Sequence, residues 1–130
     1  ANKPVALRTW YIFHGEARQD ADVVQSFLQN ELATLIREVE QRNRGRVTVA
    51  WPTAVPVPRC DVASWKSTLA GPLGREDTDF VLVVIPDALK SRQPDAYYQL
   101  KNEVLFSQSR GIGSQMVLAT SLRRQSRTRW

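Results

Sequence analysis

The chain has little of the chemistry on which many active sites are built. It contains one cysteine, Cys60, and one histidine, His14. A single cysteine excludes an internal disulfide framework and suits a reducing compartment. With Pro58 shortly before it and no CxxC, Cys60 reads as a lone structural thiol. His14 has no partner serine or cysteine motif, which leaves it as an auxiliary ligand contact from the loop after the first strand. No run of eighteen apolar residues exists, and the stretch ANKPVALRTWYIF has neither the apolar core nor the small-residue cleavage site of a secretory signal. A soluble, cytoplasmic protein without a membrane partner is expected. Internal repeats and low-complexity segments are also absent.

What is present is ordinary for one globular domain: 130 residues, 42% hydrophobic and 24% charged, enough to bury a core. The 18 basic residues against 13 acidic ones give a formal charge of +5 and a pI near 9.9, which favours polyanionic partners. Much of the excess lies in SLRRQSRTRW, where Arg123, Arg124, Arg127 and Arg129 occur without an acid. The sequence divides into one domain over 1–122 and a basic tail over 123–130, either solvated or tracking phosphates.

Hydrophobic patterning gives the elements. Val5 to Phe13 (VALRTWYIF) reads as one strand ending at His14-Gly15. Asp20 or Asp22 is expected to cap a long helix in which Val24, Phe27, Leu28, Leu32, Leu35, Ile36 and Val39 recur at helical spacing, with an exit near Gly45. Arg46 to Trp51 (RVTVAW) reads as a second strand. Pro52, Pro56 and Pro58 then predict an extended, unpaired loop. Asp61 should cap a short helix, VASWKSTLA, closed by Gly71-Pro72. The continuous apolar run Phe80 to Ile85 has the pattern of a strand covered on both faces. Glu76, Asp77 and Asp79 before it read as a solvated loop rather than a metal site. A polar linker, a helix from about Pro94 to Arg110, and a strand from Ile112 to Ala119 complete the pass. Such alternation predicts an α/β fold with a mostly parallel open sheet of about four strands flanked by helices. Ligands in that architecture bind beyond the carboxyl ends of the strands, so the loops after Phe13 and Ile85 face the expected site.

The chemistry concentrates between Asp79 and Gln115. On the helix after Pro94, Tyr97, Leu100, Val104, Leu105 and Gln108 trace one side, and Lys101 falls within that stripe. Lys101 either snorkels to water or faces an anion near the helix start. The helix dipole alone is worth roughly 0.3–1 kcal/mol to an anion, or about 2 kcal/mol when partly buried, so a lysine charge, further donors such as Gln115 and a stacking ring would have to add to it. Tyr97 and Tyr98 are the candidate rings. Gly111-Ile112-Gly113 is no dinucleotide fingerprint, because it follows a helix and precedes a strand.

These residues resemble a known family. VLVVIP, a variable loop, Tyr-x-x-x-Lys in Tyr97 to Lys101 and Gly-Ile-x-x-Gln in Gly111 to Gln115 are similar to the MID domain of Argonaute proteins, and the apolar strand with Trp10 to Phe13 and the helix through Phe27 agree in order. The resemblance implies a Rossmann-like binding module, without nuclease activity of its own, that anchors the 5′-phosphorylated end of a guide RNA or DNA. By position, Tyr97 would stack on the first base, and Lys101 and Gln115 would hold the 5′ phosphate. The loop over Pro86, Asp87, Ala88, Leu89 and Lys90 would contact the base. The other domains of the same Argonaute would be further partners. A second family lysine has no counterpart, since no lysine follows Gln115. Arg123 or Arg124 would replace it, or the chain ends before that position, or magnesium at the phosphate supplies the charge; no cofactor is otherwise required. The competing reading from the residues alone is a small α/β domain that uses the same strand-to-helix loop for a free mononucleotide or as a docking surface.

Overall fold

The computed structural model describes residues 5–106 and 111–128, with side chains as far as Arg123. In chain order its elements are β1 (Val5–Leu7), β2 (Trp10–Gly15), α1 (Arg18–Phe27), a π-helical turn (Leu28–Leu32), α2 (Ala33–Arg42), β3 (Val47–Val49), β4 (Thr53–Val57) and α3 (Val62–Leu73). There follow β5 (Phe80–Ile85), α4 (Asp87–Arg92), α5 (Ala96–Gln99) running into a second π-helical turn (Leu100–Phe106), β6 (Gly113–Leu118) and α6 (Ala119–Thr128).

Strands β4, β2, β5 and β6 form, in that spatial order, a fully parallel sheet. Parallel neighbours need crossovers, and the crossover helices bury both faces. On one face Phe13, Val81, Val83, Ile85 and Met116 pack with Trp65, Leu69 and Leu73 of α3, Leu89 of α4, and Leu100, Val104 and Leu105 after α5. On the other, Trp10, Ile12 and Val84 pack with Val23, Val24, Leu28 and Leu32, and with Ala119 and Leu122 of α6. The fold is thus α/β and Rossmann-like, as expected. Among the described residues no helix is long and apolar enough to cross a membrane.

Several local expectations give way to tertiary structure. The run VALRTWYIF is two strands, because the Arg8 and Thr9 N–H groups leave the ladder and donate to Asp79 Oδ2 at 2.7 and 3.0 Å. Its first half pairs with β3 in a separate two-stranded parallel sheet. Within RVTVAW only Val47–Val49 is extended, and it does not enter the main sheet. The proline-rich segment does: Thr53–Val57 pairs with β2, with Pro56 opposite His14. A proline is tolerated there because an edge strand has a ladder on one side only.

Helix boundaries shift as well. Neither Asp20 nor Asp22 caps α1; Ala17 stands at the N-cap and Asp20 is buried in the first turn. Helix α3 does begin at Asp61, whose Oδ1 accepts from the Ser64 N–H at 2.7 Å, but it runs past Gly71-Pro72 to Leu73. The polar linker contains α4, and the next helix starts at Ala96 rather than Pro94. Its expected last turn, residues 107–110, lies outside the described residues. The basic segment is helical through Thr128, so α6 crosses the expected boundary at 122/123. The glycine exit near Gly45 holds, with φ of +79°, a region that costs glycine little.

Asp79 joins the sheets. Its carboxylate takes the two N–H groups at the β1–β2 break, its own N–H donates to Thr9 O at 2.8 Å, and its carbonyl accepts from Gly113 N at 3.2 Å at the start of β6. Replacing Asp79 with alanine leaves two backbone donors without their acceptor. Urea denaturation should show a loss of about 1–3 kcal/mol, and Asp79→Asn, which keeps an acceptor oxygen, a smaller one.

Candidate functional site

Tyr97 lies in the first turn of α5 and Lys101 one turn later, in the π-helical continuation. Leu100, Val104 and Leu105 are buried against the sheet and hold this helix beside β6. Between helix and strand runs a groove of about 300 Å³, lined by Tyr97, Lys101, Leu105, Phe106, Ser114, Gln115 and Met116. The three residues singled out from the sequence, which come from two separate elements, therefore meet in one place. Leu105 and Met116 are buried and make an apolar floor, while Lys101, Phe106, Ser114 and Gln115 form an exposed rim.

Lys101 is exposed, so it does not share the burial of the stripe it was assigned to. Its Nζ stands 5.8 Å from the centroid of the Tyr97 ring, within cation–π range. Among the described residues it has no carboxylate partner; Glu103 on the same turn pairs with Lys66 at 2.5 Å. A charge held by an aromatic face but by no counter-ion is available to an anion. Tyr98 meets Tyr97 edge to face, with centroids 5.7 Å apart and planes at 81°, and does not line the groove.

Gln115 reaches this place differently from the other two. It is the third residue of β6, opposite Leu82, and so sits midway along the sheet rather than at its carboxyl edge. Side chains alternate along a strand. Met116 packs in the core cluster that contains Leu100 and Val104, whereas Val117 packs against the opposite cluster. Ser114 therefore points with Met116 toward the helix, and Gln115 points with Val117 to the far face and meets the groove at the free edge of β6. Two rim residues were missed. Period-two patterning through Met116 would have found Ser114. Phe106, 73% exposed, lies five residues after Lys101, and only the wider π turn brings such a pair close.

The other candidates lie elsewhere. None of Pro86, Asp87, Ala88, Leu89 and Lys90 lines the groove. Leu89 is fully buried in the core, Lys90 is exposed on α4, and Asp87 accepts a hydrogen bond from the Thr120 hydroxyl. Pro86 and Ala88 border a second cavity at the carboxyl ends of the strands. His14 is buried, with Nδ1 2.7 Å from Gly15 O, and lines neither space. Arg123 is half-buried on α6 within electrostatic reach of Asp20. The side chain of Arg124 lies outside the described residues.

Hard divalent cations take carboxylate and carbonyl oxygens, and no described aspartate or glutamate lines the groove. Among the described residues no group of three or more His, Cys, Asp or Glu side chains is placed to hold a metal ion. No protein-family model matches the chain, and comparison with curated proteins gives no match.

Asp20 carries the perturbed acid of the molecule. Burial raises its pKa above the usual carboxylate value and the nearby Asp87 raises it further, against smaller opposing effects of His14 and Arg123. Only between the ordinary aspartate value and the raised one does the folded chain keep a proton on Asp20 that the unfolded chain releases; above it the carboxylate is buried as a charge. This contribution to stability is full below the ordinary aspartate range and is lost as pH rises through the raised value. Asp20→Asn should therefore have a higher urea midpoint than the parent at neutral pH, with the difference closing in acid.

Proposed function

We propose that the groove between the helix from Ala96 and strand β6 holds the 5′-phosphorylated end of a guide strand, RNA or DNA. What supports this reading is the convergence of Tyr97, Lys101 and Gln115 on one groove that contains an aromatic ring and an ammonium paired with no described carboxylate. Lys101 supplies the charge that meets the terminal phosphate. Ser114 and Gln115 add neutral donors from the edge of the sheet. The Tyr97 ring offers a face to the first base, an interaction worth about 1–3 kcal/mol in single-strand binding. The role assigned is binding and not catalysis, in a cytoplasmic guide-loaded protein whose other domains would close over the same end.

Among the described residues Lys101 is the one cation that lines the groove, and Arg123 lies within electrostatic reach of Asp20. Selectivity for the phosphate therefore rests on Lys101. A charge-assisted hydrogen bond worth about 1.5–3 kcal/mol corresponds to roughly a ten- to hundredfold preference. Fluorescence anisotropy should find a 5′-phosphorylated oligonucleotide bound about tenfold or more tighter than its 5′-hydroxyl twin at one salt concentration, where non-specific counterion release is common to both. Lys101→Ala should remove the difference. Equal affinities in the parent protein would overturn the reading, and saturable binding of free nucleotides without dependence on strand length would favour a mononucleotide domain.

A further inference from the structure

We propose that the cavity at the carboxyl ends of β2, β4 and β5 is a second binding site, for a small phosphate ester of a sugar or similar polyol. It is independent of the guide-end reading and shares no lining residue with that groove. The cavity measures about 400 Å³, within the range of small-molecule sites. It opens where β2 has β4 on one side and β5 on the other, so that successive crossovers leave in opposite directions. An open α/β sheet leaves its crevice at such a reversal of strand order.

Charged groups of both signs line it. Arg59 and Arg92 line the cavity, are exposed, and pair with no carboxylate among the described residues. Opposite in charge is Asp20, only 4% exposed. Gly15 makes room for it: a Cβ there would come within 2.8 Å of Asp20 Oδ2 and 2.7 Å of Pro86 Cγ. Trp65 also lines the cavity, is fully buried, and its Nε1 has no hydrogen-bond partner. An indole N–H can only donate, and leaving it unpaired away from water is unfavourable. Ala17, at the N-cap of α1, gives no side-chain oxygen to the first-turn N–H groups.

The ligand class follows from what each group requires. Two guanidiniums match a phosphate, which accepts bidentate pairs, and the uncapped helix start adds donors of the same preference. A simple anion would leave Asp20 facing it without a donor. A neutral polyol would leave both arginines unmatched. A phosphate ester with free hydroxyls satisfies both ends.

Cys60 supplies the readout, because it is the only cysteine of the chain, lines this cavity and is half-buried. Burial raises its thiol pKa, partly offset by Arg92, so labelling belongs at alkaline pH, where the thiolate forms. Rates of Cys60 modification by a thiol reagent would be measured with ribose 5-phosphate, adenosine monophosphate, inorganic phosphate and ribose. At least one of the two esters should slow the reaction saturably, by about tenfold near saturation, while phosphate and ribose at equal concentration should not. The ratio of rates with and without ester should return to one in an Arg59→Ala/Arg92→Ala double variant and stay unchanged in Lys101→Ala. Protection by phosphate alone equal to that by the esters, or no protection by either ester, would overturn the proposal. Neither result bears on the 5′-end preference, which is measured separately.

Discussion

The structure depends on a strand that has no solvent side. Val81, Val83, Val84 and Ile85 of β5 are fully buried, with β2 on one edge and β6 on the other. A strand in that position must be covered above and below, so helices are needed on both faces of the sheet. Helices on both faces require crossover connections, and crossovers make every strand parallel. All strand-to-helix loops then fall at one end of the sheet. The cavity between Gly15, Pro58 and Pro86 is thus a geometric result of burying β5, whatever occupies it.

The groove beside β6 has a different origin. It exists because β6 is the last strand of the sheet, and because the helix after Ala96 packs on the face formed by β5 and β6. Its apolar floor, Leu105 and Met116, belongs to the same core that buries β5. Lys101, the one cation lining the groove among the described residues, pairs with no described carboxylate. The formal charge of the chain is therefore a poor guide to where an anion would bind. The arginines of SLRRQSRTRW account for most of the excess, yet Arg123, the one whose side chain is described, does not line the groove, where Lys101 is the one described cation.

The parts legible in the sequence were those governed by local rules. The apolar run Phe80 to Ile85, the Asp61 cap and the glycine exit near Gly45 all depend on residues close together in the chain, and all three were read correctly. The meeting of Tyr97 with Lys101 was legible for the same reason, being one helical turn. What could not be read depends on distant partners. The break at Arg8–Thr9 arises from a carboxylate at Asp79, and nothing within VALRTWYIF announces it. Pro56 argues against a strand unless the strand is known to be at an edge, which is a property of the finished sheet. Wider π turns at Leu28–Leu32 and Leu100–Phe106 altered which residues share a face. That change turned Lys101 outward and brought Phe106 to the rim. The far-face placement of Gln115 follows from the register Leu82↔Gln115, again a tertiary fact.

The pairing register has a consequence for how the molecule comes to exist. Tyr11 pairs with Thr53, Trp10 with Phe80, and Phe80 with Gly113. Every ladder of both sheets joins segments separated by at least one helix, and no hairpin among the described residues offers a cheap first contact. The loop-closure entropy of each crossover must be met before the corresponding ladder returns any free energy. The sheet is consequently a late product of folding. Until β5 is enclosed, its run of valines and isoleucine is an exposed edge able to pair with another chain, so the segment that organises the native state is also the one from which aggregation starts.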